Sequence, residues 1–199
     1  MQRERKSRRA EIDSTERYVS RSAYKLESIY TALKLDLKDK TVLDVGSSTG
    51  GFSDFALKHG AKKIIAVEKG TNQMNPVLLT DTRIELHEKT DILDFKTDKK
   101  IDLILIDVSF VSLRDVLPSI YKLADKQTVI VAMAKPQFET RDDKLKNNGI
   151  IKNERIRREI LTSLETWMRR KFVVIAKADS HIFGTKGNRE RFFKLTCSK

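Results

Sequence analysis

The sequence has a single cysteine, Cys197, among 199 residues. That excludes an intramolecular disulfide framework, and a reducing cytoplasm is the simplest home for the chain. It has no uninterrupted apolar run long enough to span a membrane. Its first stretch, "MQRERKSRRAEIDSTERYVSR", is polar throughout, so no signal peptide is read there. The three histidines, His59, His87 and His181, share no ligand spacing with cysteine or carboxylate pairs, so no metal site is expected. Internal repeats and low-complexity segments are also missing.

Positive charge is abundant. The formal net charge is +12 and the sequence pI is about 9.7. The charge comes partly in blocks: "RERKSRR" near the start, "WMRRKF" around Trp167 and "KGNRERFFK" near the end. Blocks of this kind favour a polyanionic partner, and nucleic acid before acidic lipid. The N-terminal block lacks the bulky apolar face that a membrane-surface helix needs.

Residues 1–19 read as a basic arm, mobile over 1–16, ahead of one domain covering 20–199. From Ser20, Leu26, Ile29, Tyr30 and Leu33 recur at helical spacing, with Lys25 at the edge of the stripe. Strands are expected at 41–45, 63–67, 83–87, 101–106, 128–134, 171–178 and 190–196. Helices are expected at 51–59, 72–79, 112–124 and 153–170, with Pro118 kinking or restarting the third and Asn153 capping the fourth. Short β-branched runs alternating with helices specify an α/β, doubly wound, Rossmann-like fold with a mostly parallel seven-stranded sheet.

In such a sheet the ligand sits beyond the carboxyl ends of the strands. "DVGSSTGGF" (44–52) follows the first strand. It matches neither the dinucleotide fingerprint nor the Walker A loop. Serine and threonine between the glycines offer hydroxyls and close backbone approach, which suits a ligand with an amino-acid end and no phosphate, such as S-adenosylmethionine. The expected cofactor contacts are Asp44, Gly46, Ser47, Ser48, Thr49, Gly50, Gly51, Phe52, Glu68, Lys69, Asp91 and Asp107. Glu68, ending the second strand, is placed to accept from both ribose hydroxyls. Asp91 either faces the adenine edge or is an ordinary loop carboxylate. Asp44 either binds the cofactor's amino group through water or caps the turn.

The strand ends narrow the chemistry. The fourth strand ends in Asp107, without the Pro-Pro-aromatic motif of amino-methylating enzymes. Attack on cytosine carbon needs a thiol near a strand end, and Cys197 lies beside the C-terminus. The fifth strand ends "AKPQFE", where Pro136 turns the chain and aims Lys135 at the open end of the sheet. Taken alone, Lys135 also reads as a surface lysine.

"SRSAYKL", "DVGSSTGGFSDF", "DVSFVSL", "KPQFE" and "GTKGNRE" occur in this order. Together they resemble the haemolysin-A (TlyA) type of RNA methyltransferase, within the FtsJ-like 2′-O-methyltransferase group. The likeness covers roughly residues 20–196. It implies methyl transfer from S-adenosylmethionine to a ribose 2′-hydroxyl, usually of cytidine in ribosomal RNA. It also implies a Lys-Asp-Lys-Glu tetrad, which falls on Lys25, Asp107, Lys135 and Glu190. Proteins of that type generally carry an N-terminal S4 RNA-binding domain, whereas here a polar stretch of about twenty residues, six of them basic, precedes the first helix. RNA selection is then expected from the arm (Arg3, Arg5, Lys6, Arg8, Arg9), from the domain surface, or from a partner. The further RNA contacts expected are Arg21, Lys186, Asn188 and Arg189.

A ribose hydroxyl holds its proton tightly, so acceleration rests on alignment and proton removal. In this scheme Lys135 is the base, and Lys25 is a like-charged neighbour that disfavours its ammonium form. Asp107 orients Lys135, and Glu190 fixes Lys25 and the acceptor ribose. Phe110 and Phe138 either stack on a base or on adenine, or pack under a loop. "TRDDKLKNNG" (140–149) reads as a mobile flap. Two other readings remain: a membrane-active haemolysin, and a catalytically silent RNA-binding domain.

Overall fold

The computed structural model describes residues 17–140, 149–184 and 186–199. Arg3, Arg5, Lys6, Arg8 and Arg9, and the expected flap apart from its ends at Thr140 and Gly149, lie outside those residues. Seven strands form one sheet: β1 (Thr41–Val45), β2 (Lys63–Val67), β3 (Ile84–His87), β4 (Leu103–Ile106), β5 (Val129–Ala134), β6 (Phe172–Asp179) and β7 (Arg191–Cys197). Their order across the sheet is β3-β2-β1-β4-β5-β7-β6. All neighbouring pairs are parallel except those of β7, which runs antiparallel to both β5 and β6. The helices are α1 (Arg21–Tyr30), α2 (Gly51–Lys58), α3 (Pro76–Leu79), α4 (Leu113–Leu123), α5 (Pro136–Glu139) and α6 (Glu154–Met168).

The near-continuous apolar strands are explained by two cores, one on each face. Successive residues of a strand point to opposite faces. Val42, Ile64, Leu105 and Val131 thus join α1 and α2, while Leu43, Ile65, Ile106 and Ala132 join α4 and α6. In α6, Leu161, Leu164 and Met168 fall on the buried side, and the Asn153 side chain accepts from the Arg155 and Ile156 amides as its cap.

Three details differ from the sequence reading. Ordered packing begins before residue 20: Tyr18 is buried, and the Val19 amide donates to Asp54 at 2.9 Å. Helix α3 starts only at Pro76, where proline's fixed φ suits a first helical position and Asn75 caps it. Helix α4 runs through Pro118 as one element, because Val116, Leu117 and Ile120 hold its inner face while Pro118 faces solvent. No helix among the described residues is long and apolar enough to cross a membrane.

Candidate active site

The loop after β1 sets the floor of the site. Gly46 has φ +78°, and a Cβ there would lie 2.8 Å from the Asp107 carbonyl oxygen. Glycine is therefore what lets the first and fourth strand ends approach. At Gly51 a Cβ would stand 2.0 Å from Ser22 Oγ, so this glycine lets the start of α1 dock on the start of α2. Ser48 and Thr49 are exposed at the turn, Gly50 takes the N-cap position of α2, and Ser47 is buried with no hydrogen-bond partner for its hydroxyl. Phe52 is buried against Phe192, within the core beneath this loop.

Asp44 is 1% exposed at the end of β1. Ser53 Oγ donates to its Oδ2 at 2.6 Å, while Oδ1 has no partner. Burial raises this carboxyl to about 7 against the Ser53 hydrogen bond, and the charges of Asp107 and Glu68 push the same way. A buried carboxylate oxygen left open at the glycine loop fits a ligand that brings a positively charged amino group.

A cleft of about 680 Å³ opens beside the loop, lined by Gly46, Glu68, Asp91, Asp107, Val108 and Phe110 among others. Glu68 accepts from the backbone amides of Ser48 at 2.9 Å and Gly70 at 2.7 Å. Asp91 pairs with Lys69 at 2.8 Å and accepts from the Leu93 amide. Those bonds, the Lys69 one foremost, lower the Asp91 carboxyl below its usual range. A smaller recess of about 160 Å³ adjoins, sharing Gly46, Ser48 and Asp107 with the cleft and adding Ser22 and Lys135.

The four tetrad positions form two ion pairs. Lys135 Nζ lies 2.5 Å from Asp107 Oδ1 and donates to Ser109 Oγ at 2.7 Å. Lys25 Nζ donates to Glu190 Oε1 at 2.8 Å, across 165 positions of sequence. Ala134 is opposite Arg191 in the antiparallel ladder. Lys135 and Glu190 are the next step beyond it, so both pairs belong to one rim. The direct partner of each lysine is a carboxylate, Asp107 for Lys135 and Glu190 for Lys25, the two pairings expected from the sequence.

Glu190 is held from both sides. The Arg157 guanidinium donates to the Arg189 carbonyl at 3.0 Å and to Asp179 at 2.8 Å, and Arg191 donates to Asp179 at 2.6 Å. Burial opposes ionisation of Asp179, but Arg191 and Arg157 bring its carboxyl down to about 2. Glu190 therefore does not pair with either arginine beside it in sequence. Glu139 plays the matching part for the other pair. It accepts from Ser112 Oγ at 2.6 Å and from the Leu113 amide at 2.8 Å. That ties the loop after β4, which carries Asp107, to the loop after β5, which carries Lys135. Burial pushes the Glu139 carboxyl up. Ser109, Glu139 and Arg157 went unassigned in the sequence. The first two lie inside "DVSFVSL" and "KPQFE", so the motifs held the signal, while Arg157 carried none beyond an arginine in a helix.

Among the RNA contacts expected, Arg21 and Lys186 are exposed, and Arg189 is half-buried with its guanidinium on the Ser180 carbonyl. Asn188 is corrected: it is 2% exposed, its Oδ1 accepts from the Ile151 amide, and its Nδ2 donates to the Gly149 carbonyl. It pins the loop rather than presenting an amide to a ligand. Phe110 is 91% exposed at the cleft mouth, with its ring 5.2 Å from that of Phe138.

The FtsJ-like methyltransferase family profile matches residues 18–196. The chain belongs to the FtsJ-like methyltransferase family. Among relatives of this FtsJ-like chain is the 23S rRNA (cytidine-2′-O)-methyltransferase TlyA of Campylobacter jejuni, 42% identical over 142 residues, 71% of this chain and 55% of that protein. Hemolysin A of Brachyspira hyodysenteriae is 35% identical over 185 residues, 90% of this chain and 77% of that protein. A solved structure described as a hemolysin from Streptococcus thermophilus superposes with a TM-score of 0.87 at 34% identity, covering 92% of this chain and 68% of that one. The chain thus spans only about half of the Campylobacter relative's length.

Proposed function

We propose that this chain is an S-adenosylmethionine-dependent RNA 2′-O-methyltransferase acting on ribosomal RNA, with cytidine ribose as acceptor. The observation that carries this reading is the pair of ion pairs, Lys135–Asp107 and Lys25–Glu190, on the rim of a carboxylate-lined cleft. The relatives whose names state that activity support it.

S-adenosylmethionine, when bound, supplies an already activated methyl group. Asp44 would hold its amino group through the open Oδ1, and Glu68 and Asp91 line the side where its nucleoside would rest. The remaining work belongs to the chain. Asp107 and Ser109 fix the position of Lys135 Nζ at the sheet's open end. As the neutral amine, Lys135 takes the proton from the acceptor ribose hydroxyl and becomes the ammonium that Asp107 holds. Glu190 holds Lys25, and the pair bounds the place of that ribose. Phe110 offers an exposed ring on which a base can stack. Arg21, Lys186, Arg189 and the arginines and lysine of the N-terminal block hold phosphates. This reading places the protein in the cytoplasm, with its RNA.

The test incubates the protein and labelled S-adenosylmethionine with total ribosomal RNA, ribosomal subunits and transfer RNA, then maps any label by nuclease digestion. Label on a ribose of ribosomal RNA is expected. Cofactor binding without turnover on any of these would support the silent RNA-binding domain instead. Lysis of liposomes by the purified protein, without RNA methylation, would favour the haemolysin.

A further inference from the structure

A second concavity lies away from the cleft, on the flank between α4 and α6. It has a volume of about 850 Å³. Its wall on α6 is a single helical stripe. Arg155, Glu159, Ser163 and Thr166 recur at intervals of three or four residues, with Arg158 beside them and Arg170 in the turn just past the helix end. Arg114 closes the other side from α4, its Nη2 donating to Ser163 Oγ at 3.2 Å and its guanidinium 5.5 Å from the Trp167 ring. Arg155, Arg158 and Arg170 are exposed, and the carboxylate in the wall, Glu159, is 3.0 Å from Arg155.

The groove has a direction. Helix α6 leads into β6, which runs parallel to β5, so α6 itself runs against the strands. Its N-terminus is at the carboxyl ends of the strands, where Lys135 lies. Arg114 follows the turn in which Glu139 binds Ser112 and Leu113. From Arg155 at the rim to Met168 at its end the helix rises about 20 Å, with Arg170 two residues further on, enough for several successive phosphates of one strand.

We propose that this groove is a second RNA contact, a phosphate track that carries the substrate backbone from the catalytic rim down the α4/α6 flank. It rests on the reading of the chain as an RNA methyltransferase and adds a surface that the reaction itself does not require. Charge complementarity selects the occupant: guanidiniums and hydroxyl donors suit phosphate oxygens. A protein partner would want an apolar or aromatic centre depleted of charge, and here the Trp167 ring is half-buried and faced by Arg114.

The test uses the full chain with Arg155→Gln, Arg158→Gln and Arg170→Gln combined. These are exposed side chains outside the cleft, and an unaltered thermal unfolding curve confirms the fold. Affinity for purified ribosomal RNA is measured against salt concentration. The slope of log affinity against log salt should become shallower by roughly 0.7 to 0.9 for each phosphate no longer neutralised, so by roughly 2 to 3 in all. Cofactor affinity and the single-turnover rate at saturating RNA should stay at wild-type values. An unchanged slope overturns the track. So does an unchanged slope on naked RNA with weakened binding to assembled subunits, which would assign the flank to a protein. If the wild type methylates RNA and the triple variant keeps its slope, the track alone falls. If the wild type neither binds nor methylates RNA, the enzymatic reading falls with it.

Discussion

The cleft and the flank are opposites in charge. The cleft at the strand ends gathers Asp44, Glu68, Asp91 and Asp107, and the groove between α4 and α6 gathers Arg114, Arg155, Arg158 and Arg170. A basic protein with net charge +12 thus gathers four carboxylates where a cationic cofactor would sit. The difference teaches that overall charge describes the partner, while local charge describes the small ligand. In the cleft the Asp44 carboxyl is buried and Asp107 is paired with Lys135, so removing one has a large effect. On the flank they are hydrated, and each is worth little until a polyanion arrives.

Lys135→Ala should give the largest effect on the cleft side. Loss of a general base lowers the single-turnover rate by roughly 10²- to 10⁴-fold. Cofactor affinity and the salt slope for RNA should be kept, and full activity would remove Lys135 from the chemistry. Lys135→Arg should fail equally, because guanidinium does not release its proton near neutral pH.

Lys25→Met should show as lost stability. It strands the Glu190 carboxylate, 3% exposed, without its cation. Removing one partner of a buried pair costs about 3–5 kcal/mol. Adding Glu190→Leu should recover most of this in denaturant unfolding. No recovery would show that the pair is not what holds α1 to the start of β7.

Asp44 gives a pH dependence with a definite sign. Its carboxyl is raised to about 7 in the fold, above its ordinary value of 3.8. The native state therefore keeps a proton that the unfolded chain releases, so stability falls as pH rises from about 4 to 7 and then levels off. Asp44→Asn should remove this slope and gain on the order of 2–4 kcal/mol relative to wild type above pH 7. Cofactor affinity should rise through pH 7 in the wild type and stay flat in Asp44→Asn, since only the ionised carboxylate attracts a positive amino group. A parallel pH profile in both proteins would take Asp44 out of the cofactor site.

Glu139→Ala should have the smallest effect of these. It leaves Ser112 and the buried Leu113 amide without their acceptor, at about 1–3 kcal/mol. Glu139→Gln, whose amide oxygen still accepts from Leu113 while its NH2 donates to a turned Ser112 hydroxyl, should restore most of the unfolding midpoint. Equal loss in both variants would mean that the charge, and not the tie between the two loops, is what matters.

Much of the cleft was legible because its parts are near in sequence. Asp44 to Phe52 run from the end of β1 through the glycine turn into α2, and Glu68 follows the next strand. The exact helix starts were less legible, since Asn72 to Asn75 carry no apolar stripe to mark a boundary, and Tyr18 sits among polar neighbours that hide its burial. Asn188 looked like a ligand contact beside a lysine and an arginine, and only the returning 149–151 segment shows what its amide holds.

The sequence by itself determined the alternating α/β order, the glycine turn and the excess of positive charge, because hydrophobic period and backbone permissiveness are local properties. Only the tertiary structure decided how closely the charges are brought together. It carried Glu190 to within 2.8 Å of Lys25 through an antiparallel strand inserted beside β5, set Asp107 2.5 Å from Lys135, and gathered arginines on the flank between α4 and α6. Pairing across such distances in the chain depends on sheet order and register, which local pattern does not encode.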